Sequence, residues 1–130
     1  MLMNADWPDY AENSETIREK LRQLSDETDL DFAVQLVGEF SELAPTSLAE
    51  LKEAVAQSDG SRAGRIAHSL KGNCATFGLA NLARKMLAVE TTCRQGKVVP
   101  LESVTELERD YATAADELHG VVQELMEGAA

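Results

Sequence analysis

The sequence predicts an all-α protein, folded as an up-and-down antiparallel four-helix bundle with a short additional helix at its N-terminus. Three observations support this prediction. Apolar residues recur at close to the 3.6-residue period of a helix, and no stretch shows the alternation typical of a strand. Prolines occur only at positions 8, 45 and 100, so long helices can form between them. The segments between the helices are short, which favours antiparallel neighbours.

The first two predicted helices follow from their caps and their apolar spacing. A short amphipathic helix opens at Ser14 and should end near Asp26. Asp29 or Asp31 caps the long second helix. Pro45 interrupts this helix and removes one backbone donor, so we expect a kink or a local restart there.

The last three predicted helices are separated by segments that contain glycine or proline. Residues 58–61 form a turn, and Ser61 is predicted to cap the third helix. Gly78 is suited to the left-handed conformation that ends this helix. These three helices are predicted at about residues 62–76, 79–95 and 101–126.

The length of 130 residues is that of one domain with a single core. We expect residues 1–13 to be a flexible N-terminal tail and residues 14–127 to be the folded domain. Whether Trp7 and Tyr10 of the tail pack on the bundle is left open.

The composition excludes several classes of function. A formal net charge of −11 makes binding to nucleic acid or to anionic membranes unfavourable. No uncharged apolar run reaches the roughly 18 residues of a membrane span, and the first residues do not resemble a secretory signal. Cys74 and Cys93 are too few for a disulfide framework or a zinc site. We therefore expect a cytoplasmic protein with no metal or cofactor of its own, and with both thiols free and buried.

The predicted third helix carries the candidate site. On a helical wheel with His68 at zero, Arg65 and Lys71 fall about 60° to either side, and Gly64 and Gly72 about 40° to either side. The apolar residues of the helix lie opposite. His68 should therefore face solvent between two cations and two residues without side chains.

Two glycines in the middle of a helix require an explanation, since each costs about 0.5–1 kcal/mol relative to alanine. We interpret Gly64 and Gly72 as leaving a clear surface on which another protein can approach His68. Relief of crowding between helices is the alternative. An exposed imidazole is nucleophilic near pH 7, and Lys71 would stabilise a phosphoryl group on it. His119, which lacks such neighbours, is interpreted as an ordinary surface residue.

These residues resemble the histidine phosphotransfer (HPt) domain family. His68 begins the pattern H-x-x-K-G within the segment AHSLKG. Gly78 follows ten residues after His68, then Leu82, then Glu90 at plus 22. The extended pattern lies on two adjacent predicted helices, and the resemblance covers nearly the whole chain.

The resemblance implies a role for each matching residue. His68 would accept the phosphoryl group on its outer ring nitrogen, Lys71 would assist with the phosphate charge, and Gly72 would leave room for it. Glu90 matches a position whose side chain bonds the other ring nitrogen and fixes the tautomer. A solvated surface glutamate is the alternative. The implied partners are receiver domains of response regulators, which bring the magnesium ion, and a sensor histidine kinase.

The third and fourth predicted helices form a basic region on an acidic chain. Residues 62–97 carry seven basic side chains and a single acid, Glu90. A receiver's acidic pocket would complement this charge. Salt bridges to the acidic second and fifth helices are the alternative. The residues expected to dock the partner are Arg62, Arg65, Ala75, Arg84 and Lys85.

The sequence therefore predicts a monomeric phosphoryl carrier of a two-component phosphorelay, without a nucleotide site of its own. A helical adaptor that binds signalling partners without being phosphorylated is the alternative. The dimerisation segment of a histidine kinase is disfavoured, because no His-Glu-x-x-x-Pro box begins at His68. A Cys–His enzyme is disfavoured because Cys74 lies about 120° from His68 on the wheel.

Overall fold

The computed structural model describes residues 12–129, which form five helices and no strand. The predicted all-α fold is confirmed. Trp7 and Tyr10 lie outside the described residues. The helices are α1 (Ser14–Glu27), α2 (Leu30–Ala56), α3 (Gly60–Thr76), α4 (Ala80–Arg94) and α5 (Leu101–Ala129).

Helices α2, α3, α4 and α5 pack in a ring, each against the next, to form a four-helix bundle. The contacts between α2 and α5 show that these two helices are antiparallel. Ser41 Oγ lies 2.9 Å from His119 Nε2, and Lys52 Nζ donates to Glu108 at 2.8 Å. The earlier residue of α2 thus meets the later residue of α5. Three-residue connections join α2 to α3 and α3 to α4, which gives the predicted up-and-down order.

The additional helix α1 runs parallel to α5 and packs against both α2 and α5. Ser14 Oγ donates to Glu117 at 2.6 Å, and Arg18 Nε donates to Glu124 at 2.5 Å. The earlier residue of α1 thus meets the earlier residue of α5, and the later meets the later. On the apolar face of α1, Ile17 and Leu21 are buried and Leu24 is partly buried. The helix thereby covers apolar surface that the ring of four leaves on this side.

Pro45 does not interrupt α2. The helix is continuous from Leu30 to Ala56, so the expected restart is absent. Pro45 is exposed, and its ring lies on the solvent side of the bundle. Proline has no backbone N–H, so Pro45 cannot donate the usual helical hydrogen bond to the carbonyl of Ser41, four residues earlier. This carbonyl accepts a long hydrogen bond from the Tyr111 hydroxyl of α5 instead, at 3.5 Å.

The helix caps agree with the sequence at α2 and differ at α3. Asp29 caps α2 by accepting from Phe32 N at 2.7 Å. Asp59, and not the predicted Ser61, caps α3 by accepting from Arg62 N at 3.1 Å. The helix therefore begins before Ser61, whose hydroxyl is left free for another contact described below.

Gly78 adopts the predicted left-handed conformation, with φ of +77°. A second constraint was not apparent from the sequence. A Cβ atom at this position would lie 2.7 Å from the carbonyl oxygen of Thr16 and 2.8 Å from Ile17 Cα. The turn between α3 and α4 therefore packs directly on the backbone of α1, and only glycine leaves the space.

The start of α4 is capped from a distance. Glu12 accepts hydrogen bonds from the backbone nitrogens of Asn81 and Leu82, at 3.0 and 2.9 Å. Asn13 caps α1 by accepting from Glu15 N at 2.9 Å. Glu12 and Asn13 therefore belong to the folded part of the chain, although the sequence predicts them to lie in the flexible tail.

The core is almost entirely aliphatic, as the low aromatic content requires. Phe40 of α2 provides its aromatic centre, with ring centroids 5.2 Å from Phe77 and 5.9 Å from Tyr111. Burying this apolar surface is the main force that holds the helices together. None of the helices between residues 12 and 129 is both long and apolar enough to cross a lipid bilayer.

Candidate functional site

His68 lies on the solvent side of α3, as its position on the wheel predicts. The same helix buries Ala63, Ala67, Leu70 and Cys74 on the opposite side. The imidazole is 65% exposed. The burial of the apolar stripe therefore fixes the direction in which His68 points.

Glu90 of α4 meets His68 across the groove between the two helices. Its Oε2 atom lies 2.7 Å from His68 Nδ1, and its side chain is only 8% exposed. The alternative of a solvated surface glutamate is wrong. An ionised carboxylate can only accept a hydrogen bond, so Nδ1 must carry the proton. In the neutral imidazole the lone pair is then on Nε2, the ring nitrogen that does not face Glu90.

Two cations hold the Glu90 carboxylate in place. Lys71 Nζ donates to Oε1 at 2.6 Å, and Arg94 Nη2 donates to Oε2 at 2.7 Å. The Lys71 hydrogen bond, reinforced by His68 and Arg94 and opposed by burial, lowers the pKa of Glu90 from 4.5 to about 2. Glu90 is therefore a carboxylate throughout the physiological pH range.

The position of Lys71 differs from the one expected for a residue that contacts phosphate. Its ammonium is bound to Glu90, and its side chain is 27% exposed. Arg94 was not singled out in the sequence. The signal for it was its position four residues after Glu90 on the same helix, which is the spacing of an ion pair on a helix surface.

The two glycines beside His68 have different surroundings. A Cβ atom at Gly72 would meet nothing within 4 Å, so this glycine opens onto free space. A Cβ atom at Gly64 would lie 3.2 Å from Cys93 Cβ, closer than ordinary contact. Close packing of α3 on α4, the alternative interpretation, therefore applies to Gly64.

A groove of about 580 Å³ opens between α3 and α4 beside His68. It lies on the side of His68 toward the start of α3 and the end of α4. Besides His68, Ser69 and Glu90, the residues lining it are Gly60, Ser61, Gly64, Arg65, Cys93 and Arg94.

The predicted docking residues divide into two groups. Arg65, Ala75 and Arg84 are exposed. Arg62 is partly buried and forms ion pairs with Glu53 at 3.1 Å and Glu50 at 3.9 Å. Its charge is therefore largely used within the molecule, as the salt-bridge alternative predicts.

Lys85 cannot dock a partner, and its assignment to the docking surface is wrong. It is 4% exposed and faces α5, where it forms an ion pair with Asp110 and lies 3.8 Å from Glu106. A lysine with two carboxylates nearby tolerates burial because the pairing offsets part of the lost hydration. This pairing with α5 agrees with the salt-bridge alternative.

The cysteines and the second histidine take no part in the site's hydrogen bonds. Cys74 is buried, which raises its pKa to about 12. Cys93 is partly buried, and burial raises its pKa too, so neither thiol is activated. His119 is exposed and contacts Ser41. Cys74 is buried as expected, Cys93 is only partly buried, and His119 is the surface residue that the sequence predicts.

Comparison with known proteins agrees with this geometry. The family model of the Hpt domain matches residues 35–127, which is most of the chain and includes α3 and α4 entirely. Comparisons with curated proteins and with solved structures gave no match. The chain belongs to the Hpt domain family.

Proposed function

We propose that this protein carries phosphoryl groups on Nε2 of His68 and exchanges them with the phosphoacceptor aspartate of receiver domains. Hpt domains are phosphocarrier modules of two-component signalling rather than enzymes. The observation that carries the proposal is the 2.7 Å hydrogen bond from His68 Nδ1 to Glu90, because it puts the lone pair of the neutral imidazole on Nε2, the ring nitrogen that does not face Glu90.

The transfer needs only the groups at this site and those of the receiver. The Nε2 lone pair attacks the phosphorus of the aspartyl phosphate, the P–N bond forms, and the P–O bond to the aspartate breaks. The aspartate leaves as a carboxylate. The imidazole, which still holds its proton on Nδ1, becomes positively charged, and the Glu90 carboxylate stabilises that charge. The reverse sequence returns the phosphoryl group to a receiver.

Lys71 acts after the phosphoryl group arrives. Its ammonium lies one helical turn from His68 and is bound to Glu90 in the unphosphorylated protein. Moving it to the phosphoryl oxygens would add a charge-assisted hydrogen bond there. Arg94 would keep Glu90 in position during this exchange, since it binds the other carboxylate oxygen.

Receiver domains and a sensor histidine kinase are the partners that the family implies. The open surface at Gly72 and the exposed Arg65, Ala75 and Arg84 give a receiver access to His68. Magnesium would come with the receiver. We infer that the protein acts as a monomer in the cytoplasm, where its two free thiols are stable.

Phosphotransfer profiling tests this proposal. The wild-type protein is incubated with each phosphorylated receiver of the source organism, and a label that is acid-labile and base-stable is expected. His68→Gln should abolish the label while His119→Gln, which alters the other exposed histidine, should leave it intact. Circular dichroism checks that both variants stay helical. A label on His68→Gln would refute the assignment, and an unlabelled wild type that still binds a receiver would support the adaptor alternative.

A Lys71→Ala variant separates the two contacts of this lysine. If Lys71 assists the phosphoryl group, the variant should transfer more slowly and its phosphorylated form should decay faster, with little loss of folding stability. Equal losses of stability and of transfer would show that Lys71 serves mainly to hold Glu90.

A further inference from the structure

We propose that the groove beside His68 binds an acidic segment of the receiver partner through Arg65 and Arg94. The proposal rests on the proposed function, and it assigns a second contact area for the partner. This area lies on the opposite side of His68 from Gly72 and Ala75. Arg65 takes no part in the chemical step, whereas Arg94 also holds Glu90 in position.

The shape of the groove depends on two glycines of α3. A Cβ atom at Gly64 would press on Cys93, and one at Gly60 would lie 3.7 Å from the carbonyl oxygen of Lys97. A side chain at Gly64 would push against α4, whereas a Cβ atom at Gly60 would make only ordinary contact with the segment that follows α4. The absence of these side chains leaves a concave surface of about 580 Å³ that reaches His68.

The charge of the groove is opposite to that of the protein. Among its lining residues, Arg65 and Arg94 are basic and Glu90 is the acid. Both oxygens of Glu90 are already bonded to Lys71, His68 and Arg94. The lining therefore presents positive charge to a binding partner, whereas the chain as a whole carries a net charge of −11.

Both guanidinium groups are held in place before any partner arrives. Arg65 Nη1 donates to Ser61 Oγ at 2.9 Å, using the hydroxyl that does not cap α3. Arg94 Nη2 donates to Glu90 at 2.7 Å. A guanidinium has five donors in a fixed plane, so each arginine can still form a bidentate contact with a carboxylate. Holding the side chains in advance reduces the entropy lost on binding.

An acidic segment is the occupant that the charges favour. An acidic partner approaching this protein meets repulsion over most of its surface. A receiver must also bring its own acidic pocket next to His68. Attraction at the groove would offset this repulsion and orient the approach, which raises the rate of association more than it changes the chemistry.

Charge reversal at Arg65 tests the proposal, with Arg109→Glu as the matched control. The side-chain hydrogen bond of Arg65 goes to Ser61 and not to His68 or Glu90. Arg109 is an exposed arginine of α5, which does not border α3 in the ring. Both variants change the net charge equally. Transfer from the best phosphorylated receiver is measured at several receiver concentrations and at 20 and 500 mM salt.

Here KM is the receiver concentration at half the maximal rate of transfer, and kcat is that maximal rate. We expect Arg65→Glu to raise the KM for the receiver at least tenfold at low salt, with kcat nearly unchanged. The effect should shrink at high salt, because the screening length falls from roughly 20 Å to roughly 4 Å. Arg109→Glu should change KM less than threefold. Arg65→Gln, which removes the charge without reversing it, should give an intermediate KM.

The remaining outcomes would overturn the proposal. If the wild type transfers and Arg65→Glu behaves like Arg109→Glu, the groove does not bind the receiver, while His68 remains the phosphoacceptor. An effect confined to kcat, or one that salt does not change, would contradict docking by charge. If the wild type accepts no phosphoryl group from any receiver, the proposed function and this inference both fail. Binding of an oligonucleotide, and of no receiver, would assign the groove to a different anion.

Discussion

Gly72 offers two tests: alanine at this position should raise folding stability, and a larger side chain should slow transfer. This glycine lies within α3, and a Cβ atom there would meet nothing within 4 Å. Alanine should therefore remove the cost of a helical glycine without creating a clash. We expect Gly72→Ala to raise the free energy of unfolding by about 0.5–1 kcal/mol. For a chain of this size the melting temperature should rise by roughly 2–4 °C.

Gly38 provides the matched control. It lies within α2, and a Cβ atom there also meets nothing within 4 Å. Gly38→Ala should give the same gain in stability. Thermal melting and urea unfolding followed by circular dichroism measure both variants. A loss of stability in Gly72→Ala would show that the space around this glycine is occupied.

The effect on transfer needs a larger side chain. Gly72→Gln places a long side chain one turn from His68 on the exposed face, where the partner must bring its phosphoryl group within bonding distance. A misplacement of about 1 Å can cost up to 100-fold in rate, so we expect at least a tenfold loss. Gly38→Gln should transfer normally. Wild-type transfer by Gly72→Gln would refute the argument that this glycine keeps the approach clear.

Further predictions concern the buried charges and the turn between α3 and α4. Glu90→Ala should release the fixed tautomer of His68 and slow transfer by about tenfold or more, the lower end of the roughly 10- to 100-fold that such orienting partners contribute to metal-binding histidines. Glu90→Gln, whose oxygen can still accept from Nδ1, should lose less, and ¹⁵N NMR of the imidazole reports the tautomer in both. Because the folded pKa of Glu90 is about 2, below its ordinary 4.5, its contribution to stability is complete above pH 4.5. This contribution should disappear as the pH falls toward 2. The free energies of unfolding of the wild type and of Glu90→Gln should therefore become equal in acid. A difference in these free energies that does not change with pH would contradict the pairing. Lys85→Ala leaves Asp110 buried without its nearest cation and should cost about 3–5 kcal/mol in urea unfolding, and a loss below 1 kcal/mol would mean that water reaches the pair. Gly78→Ala should cost at least 1–2 kcal/mol for its left-handed backbone alone, and a stable variant would show that α1 can move away.

The helices were the most predictable part of the structure. Their apolar spacing repeats over many residues, and the caps and turn residues mark their ends locally. Asp29 and Gly78 act where the sequence places them. Pro45 was harder to interpret, because its effect depends on which side of α2 it occupies. On the exposed side it is accommodated, and a side chain of α5 contacts the carbonyl that it leaves.

The direction of His68 was predictable for the same reason, since one helix can bury only one stripe. The contacts of Lys85, Lys71 and Gly64 were not predictable in this way, because each depends on where a neighbouring helix lies. A basic residue on the flank of an amphipathic helix can face either solvent or an acidic neighbour. Here α5 brings two carboxylates to Lys85, and α4 brings Glu90 to Lys71.

The sequence by itself determined the number and order of the helices, the stripe of α3 that is buried, and the exposure of the imidazole that this burial requires. These properties follow from local preferences and from the period of apolar residues. The tertiary structure alone decided which charges pair across helices, which of the two glycines leaves open space, and that a basic groove lies beside His68. Such properties depend on the rotation and distance of one helix relative to the next, and these are set by packing of the whole core.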